Sequence, residues 1–178
     1  MLGRGARLTS PVHAHRADAP KSVPCAVITV SDTRTLADDS GGALLCALLE
    51  GAGHAVAARE LVKDDAGAIG AALDAALARA DCAAVLLTGG TGVASRDVTP
   101  EAVAPRLERE LPGFGELFRA LSFAEIGAAA LVSRALAGIA CGKPVFALPG
   151  SRAAIRLALE RLILPELGHL VGEAQKTG

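Results

Sequence analysis

The chain contains no tryptophan and no tyrosine, and its four phenylalanines leave almost no aromatic surface on which a nucleobase can stack. A formal net charge of -1 removes the other requirement of a nucleic-acid binder, a basic field that draws in phosphate backbone. Any adenine pocket here must rely on backbone hydrogen bonds and aliphatic walls. No apolar run approaches the roughly 18 uninterrupted residues of a membrane helix; Arg134 breaks the longest alanine-rich stretch. Residues 1–22 mix Gly, Pro, Arg, His and Asp and lack the apolar core of a signal peptide. The cysteines Cys25, Cys46, Cys82 and Cys141 form no C-x-x-C pair. Three lie in apolar runs, where a buried reduced thiol is the ordinary outcome, and Cys141, beside Gly142 in an expected loop, is the one expected at the surface. His13 and His15 form an H-x-H in the tail, while His54 and His169 stand alone, so no metal cage is visible. These absences describe a cytoplasmic protein whose partners are neither membrane nor nucleic acid.

What is present is a chain of 178 residues, 51% hydrophobic, enough for one domain with a substantial core. The pattern predicts a mobile tail over 1–22, one domain over 23–172 and a short C-terminal tail over 173–178. Cys25–Val30 reads as a buried strand, followed by a polar loop and a helix over Gly41–Glu50 with Ser40 as its cap. His54–Val62 is a second strand, and Asp64 or Asp65 caps a helix whose Ile69, Leu73 and Leu77 share one face. A strand over Ala83–Thr88 enters a glycine-rich loop, a helix follows from Thr99, and another segment runs from about Phe114 to Ile126. Lys143–Leu148 is a later strand that Pro149-Gly150-Ser151 turns into a final helix, with an apolar seam of Ile155, Leu159 and Leu162 opposite Arg152, Arg156 and Arg161. Alternating strands and helices imply an α/β doubly wound three-layer sandwich with a mostly parallel central sheet. In such a sheet the loops Ser31–Ser40, Gly89–Thr99 and Pro149–Ser151 converge beyond the carboxyl ends of the strands, where ligands bind.

The loop Gly89-Gly90-Thr91-Gly92 carries the chemistry. Its three glycines let backbone N–H groups crowd around an anion, because no Cβ blocks the approach. Thr99 reads as a helix N-cap and Pro100 as the first helical residue, which places a positive dipole end directly after the loop. Arg96 and Asp97 add a phosphate-seeking cation and a metal-seeking carboxylate. A connecting turn explains Gly89, Thr99 and Pro100 but leaves Arg96, Asp97 and the other glycines without a role. No G-K-[ST] follows the glycines, so this is not a P-loop. Gly90-Thr91-Gly92 opens like a dinucleotide fingerprint, yet Ser95 replaces the third glycine and the loop follows the third strand, which makes a nicotinamide-dependent oxidoreductase the weaker reading. Asp64 gains a role as a Mg²⁺ ligand only if it faces Asp97. Pro149-Gly150-Ser151 reads equally as an anion cradle or as a plain turn, Ser133-Arg134 as capping, pairing or phosphate-binding residues, and Phe114, Phe118 and Phe123 as core or subunit-contact residues.

Taken together the residues resemble the molybdopterin adenylyltransferases of molybdenum cofactor biosynthesis, the Mog and MoaB group, over roughly 23–172. The likeness rests on Thr29-Val30-Ser31-Asp32, Asp38-Asp39-Ser40-Gly41 and the specific stretch Thr88-Gly89-Gly90-Thr91-Gly92 with Arg96-Asp97-Val98-Thr99-Pro100-Glu101-Ala102. Pro112-Gly113-Phe114-Gly115-Glu116, Leu121-Ser122-Phe123, Ser133-Arg134-Ala135 and Leu148-Pro149-Gly150-Ser151 follow in order, and the length from Phe114 to Val171 is similar to the shorter MoaB branch. The resemblance implies Mg²⁺, with ATP and molybdopterin as substrates, and adenylyl-molybdopterin and pyrophosphate as products. It implies Asp64 and Asp97 as catalytic and Mg²⁺-binding carboxylates; Lys63 stands where the family usually has proline, leaving Asp64 and Asp65 in competition. Substrate contacts would come from Ser31, Asp32, Ser40, Gly41, Gly89, Gly90, Thr91, Gly92, Arg96, Thr99, Glu101, Ser133, Pro149, Gly150 and Ser151. Gly142 stands where some relatives carry a serine assigned to molybdopterin contact. Some MoaB relatives have lost the Arg-Asp-Val-Thr stretch and with it activity; here Arg96, Asp97, Val98 and Thr99 are intact. The resemblance also implies a homo-oligomer, trimer or hexamer, and a molybdenum insertase as a partner. The alternative within the same family is a non-catalytic molybdopterin carrier.

Overall fold

The structure is a computed structural model that describes residues 19–176, so His13 and His15, and most of the expected N-terminal tail, lie outside the described residues. In chain order the elements are β1 (Pro24–Val30), α1 (Ser40–Gly51), β2 (Ala55–Val62), α2 (Ala66–Ala78), β3 (Ala84–Thr88), α3 (Thr99–Val103), β4 (Arg109–Glu110), α4 (Pro112–Ile126), β5 (Leu136–Ala140), β6 (Lys143–Leu148), α5 (Arg152–Ala158) and α6 (Leu167–Ala174). The strands form one sheet in the order β2-β1-β3-β6-β5-β4. The pairs β1–β2, β1–β3 and β3–β6 are parallel, whereas β5 and β4 join antiparallel at one edge.

The two faces follow from the strand period of two. Cys25 and Val27 of β1 point into a core with Leu45 and Leu49 of α1, Phe114 and Phe118 of α4, Ile155 of α5 and Val171 of α6. Ala26, Ile28 and Val30 point the other way, onto Ile69, Leu73 and Leu77 of α2 and Ala102 and Val103 of α3. The mostly parallel sheet with helices on both faces is the architecture expected from the sequence. Burying a side chain such as Phe118 contributes about 2–3 kcal/mol of transfer free energy. The seam on the final helix also forms: Ile155 and Leu159 are fully buried, Leu162 is half-buried, and Arg152, Arg156 and Arg161 face out. A π-helical turn over Leu159–Ile163 separates α5 from α6, which was expected as one helix.

Two helix caps differ from expectation, and a third decides between two candidates. Asp39, not Ser40, caps α1, its Oδ1 accepting from Gly42 N at 2.9 Å. Asp65 caps α2 through Ala68 N at 2.8 Å, which frees Asp64. Thr99 is the first residue of α3 and Val98 precedes it as an uncapped N-cap, because the Thr99 hydroxyl is engaged elsewhere. Ser151 caps α5 through Ala154 N at 3.2 Å.

Strand β5 carried no sequence signal, since alanine and glycine dominate it and favour strands weakly. It exists because the two-residue turn Cys141-Gly142, with φ of 49° and 68°, folds it back onto β6. That turn lies at the start of β6, a full strand away from the loop after Leu148. Cys141 is exposed as anticipated; Cys25 and Cys82 are buried and Cys46 is half-buried. Burial, and then the neighbouring Cys82, push the Cys25 thiol up to about 12, so it is inert at neutral pH. Phe114 and Phe118 are core residues, with the Phe114 ring 5.4 Å from that of Phe146, whereas Phe123 faces outward. No described helix is long and apolar enough to cross a membrane.

Candidate functional site

Strands β1, β3 and β6 are parallel neighbours, so the loops that leave their carboxyl ends open on one edge of the sheet. The chain winds from β1 outward to β2 on one side and to β3 on the other, which makes the β1/β3 boundary the switch point where ligands bind. The three loops are tied together. Gly89 N donates to Leu148 O at 3.0 Å and Thr88 Oγ1 to Pro149 O at 3.1 Å. Asp64 N donates to Asp32 Oδ1 at 3.1 Å and Lys63 Nζ to Asp32 O at 2.6 Å, joining the β1 loop to the β2 loop.

Glycine is required at the turn because the backbone leaves no alternative. Gly89 has φ of +105°, and a Cβ there would stand 2.2 Å from Val30 O. Gly90 has φ of +62°, and its Cβ would stand 2.4 Å from Thr99 Oγ1 and 2.7 Å from Asp64 Oδ1. The close approach that excludes side chains brings the start of α3 and Asp64 against the loop: Thr99 Oγ1 donates to Gly89 O at 2.8 Å, and Val98 N to Asp64 Oδ1 at 3.2 Å. Asp97 braces the loop's far side, its Oδ2 accepting from Ala94 N at 2.9 Å. Arg134 reaches the same loop from the segment before β5. Its Nε donates to Gly92 O at 2.7 Å, its Nη2 to Asp97 O at 2.5 Å and its Nη1 to Glu101 Oε1, while its backbone N donates to Thr91 O at 3.0 Å. The backbone amides of Gly90, Thr91, Gly92 and Val93 donate to no protein acceptor among the described residues.

Two recesses share Gly89 and Gly150 as their common wall. The larger, about 360 Å³, is lined by Gly89 to Gly92, Asp97, Ser133 and Pro149 to Ser151, and on its apolar side by Phe118, Ser122, Ile126 and Val132. The smaller, about 70 Å³, is lined by Thr29 to Ser31, Arg34, Asp39, Gly41 and Thr88. Asp64 carries the clearest electrostatic signature. Burial raises its pKa above the ordinary carboxylate value, the hydrogen bond from Val98 lowers it, and the charges of Asp97 and Asp32 raise it further. Three carboxylates thus share one field, which the charge of Arg96 offsets at Asp64. Such under-neutralised oxygen donors suit a hard divalent cation; Mg²⁺ takes one or two protein carboxylates and completes its shell with water and phosphate. No group of three or more His, Cys, Asp or Glu with metal-binding geometry occurs among the described residues.

The fold gathers most of the residues expected at the site. Ser31, Gly41, Gly89, Gly90, Thr91, Gly92, Asp97, Ser133, Pro149, Gly150 and Ser151 line the two recesses, and Asp32 and Asp64 adjoin them. Four expected contacts line neither recess. Thr99 is fully buried with its hydroxyl on Gly89 O; Ser40 is exposed and accepts from Arg34 Nη1 at 2.9 Å. Glu101 is held by Arg134, whose hydrogen bond keeps its carboxyl below the usual range. Arg96 is exposed, with no hydrogen bond or ion pair among the described residues. Sequence reasoning passed over Arg34, quoted Asp39 without giving it the cap, and left Arg134 between capping, pairing and phosphate binding without its loop partners. Asp39 was legible, since Asp caps helices as well as Ser does, whereas Arg134 sits 37 residues beyond Asp97 and nothing local betrays it.

Residues 26–169 match the family described as a probable molybdopterin binding domain. The chain is 52% identical over 166 residues to molybdenum cofactor biosynthesis protein B of Halalkalibacterium halodurans, covering 93% of this chain and 98% of that protein. A crystal structure of a molybdenum cofactor biosynthesis protein B superposes with a TM-score of 0.87 at 50% identity, covering 90% of this chain and all of the other. The tungsten cofactor synthesizing protein MoaB of Pyrococcus furiosus superposes with a TM-score of 0.80 at 37% identity, over 89% of this chain and all of that one.

Proposed function

The chain belongs to the molybdopterin-binding domain family of molybdenum cofactor biosynthesis, in its MoaB group, and from that premise we propose that it is a Mg²⁺-dependent molybdopterin adenylyltransferase. The observation that carries the reading is the juxtaposition of Asp64 and Asp97 beside a loop that lines a recess and whose amides have no protein acceptor among the described residues. The reaction joins the terminal phosphate oxygen of molybdopterin to the α-phosphorus of ATP and breaks the bond to pyrophosphate. The nucleophile is supplied by the substrate, so the protein needs no Ser-His or Cys-His pair, only alignment and charge compensation.

The amides of Gly90 to Val93 hold phosphate oxygens, and the smaller recess with Arg34 and Ser31 receives the other end of one substrate. Asp64 and Asp97 would hold Mg²⁺, which when bound neutralises the phosphate charge. The apolar wall of Phe118, Ile126 and Val132 excludes water that would otherwise hydrolyse ATP. The working protein is a homo-oligomer, trimer or hexamer, in the cytoplasm. Its product passes to a molybdenum insertase.

The test is incubation of the protein with molybdopterin, ATP and Mg²⁺, read by chromatography for adenylyl-molybdopterin and by pyrophosphate release. Asp97→Ala should abolish turnover, by at least about a hundredfold, with an unchanged melting temperature, because Asp97 is a half-exposed loop residue outside the core. Molybdopterin bound but left unchanged by the wild-type protein would establish the non-catalytic carrier instead.

A further inference from the structure

Arg134, which the sequence left between capping, pairing and phosphate binding, reaches the glycine loop from the segment before β5 and ties it to α3. Its guanidinium takes two loop carbonyls, those of Gly92 and Asp97, and its own amide takes a third, that of Thr91. A peptide unit is a dipole, so fixing its carbonyl also fixes where its N–H points. The carbonyl of Thr91 belongs to the peptide whose N–H is that of Gly92, and the carbonyl of Gly92 to the peptide that bears the N–H of Val93. With those two oxygens held on the Arg134 side, the Gly92 and Val93 amides are left without protein acceptors, beside the recess lined by Gly89 to Gly92. The same guanidinium holds the carbonyl of Asp97 and, through Glu101, the first turn of α3. The side chain therefore sets the Val93 peptide and the backbone of the catalytic carboxylate, and the Arg134 main chain sets the Gly92 peptide.

We propose that Arg134 is a positioning residue for the phosphate-binding loop: its planar fork captures the Gly92 and Asp97 carbonyls and so turns the Val93 amide toward an anionic ligand, beside the Gly92 amide that the Arg134 backbone already orients. The inference rests on the phosphate-binding reading of that loop. It requires the fork and not only the charge. Lysine at this position keeps the positive charge but, as a single ammonium, cannot span the Gly92 and Asp97 carbonyls in one plane.

The experiment measures binding of inorganic pyrophosphate by calorimetry to the wild-type full chain, Arg134→Lys and Arg134→Gln, with melting temperatures and amide hydrogen exchange across residues 89–99. Both variants should bind pyrophosphate at least about tenfold more weakly, as expected when oriented hydrogen-bond donors to an anion are lost. Exchange should rise in the loop while the sheet amides stay protected, and in the adenylylation assay kcat should fall more than KM rises. Arg134→Lys retains the alkyl stem and the charge, so it remains informative if Arg134→Gln does not fold. Wild-type affinity in Arg134→Lys would show that charge alone suffices and overturn the proposal. Unchanged affinity in both variants would overturn it while leaving the phosphate reading standing. No pyrophosphate binding by the wild-type protein would remove the phosphate reading itself, and the role of Arg134 with it.

Discussion

Asp39 is 2% exposed, yet it is the carboxylate most completely provided with partners. Burial alone would raise its pKa, but the hydrogen bonds from Gly42 N, Thr29 Oγ1 at 2.7 Å and Arg59 Nη2 at 3.0 Å, with the Arg59 charge, bring it below the ordinary value. A carboxyl whose pKa is lower in the fold than in the unfolded chain adds stability above the unfolded value, and that stability fades as pH falls through the folded one. Replacing it leaves Arg59, whose Nε already lacks a partner, without a counter-charge. Asp39→Ala should cost about 2–3 kcal/mol at neutral pH. At an acid pH below the ordinary carboxylate range the difference from wild type should shrink, because the wild type then loses the ion pair that the variant already lacks. Urea denaturation at the two pH values measures it, and an equal loss at both would mean that the carboxylate charge is not what stabilises.

At the scale of elements, the unit that matters is β3, its glycine loop and α3. Helix α3 has five residues, too few to be stable alone, and it is held by Thr99 on Gly89, Asp64 on Val98 and Arg106 on Ala102 O. Such a short helix has a weak dipole, so the phosphate-binding power expected from its N-terminus falls instead on the loop amides. Gly90→Ala tests the unit: the left-handed backbone costs about 1–2 kcal/mol, and the Cβ must displace Asp64 or Thr99. Turnover should fall at least about tenfold, while thermal unfolding shifts by only a few degrees. Full activity in Gly90→Ala would show that the loop relaxes without disturbing Asp64. The sequence displayed this loop because glycine, aspartate and proline act on their own neighbours. It hid β5 and the true capping residues, because alternatives one residue apart, Asp39 against Ser40 and Asp65 against Asp64, are separated only by how the finished helix packs.

At the scale of the whole molecule, one stretch remains uncovered. Phe123, Ile126, Leu131 and Val132, from the end of α4 and the 3-10 turn after it, are exposed, Leu131 by 85%. Large apolar side chains clustered in this way support the proposed association with further copies of the chain. Sedimentation should give a trimer or hexamer, and Phe123→Asp with Leu131→Asp should shift it to a smaller species. A monomeric wild-type protein would refute the oligomer. Ile126 and Val132 also line the larger recess, so association and substrate binding share a wall.

The sequence by itself determined the α/β alternation, the core faces of β1 and α2, and the glycine loop with Asp97, because hydrophobic period, β-branching and glycine geometry act within a few residues. It left open whether Asp64 met Asp97, which aspartates capped which helices, and what held the loop. Those were decided by tertiary structure alone. Strand order places residues 64, 97 and 134 at one sheet edge, and only when the edge is assembled do a carboxylate's neighbours and an arginine's carbonyl partners exist.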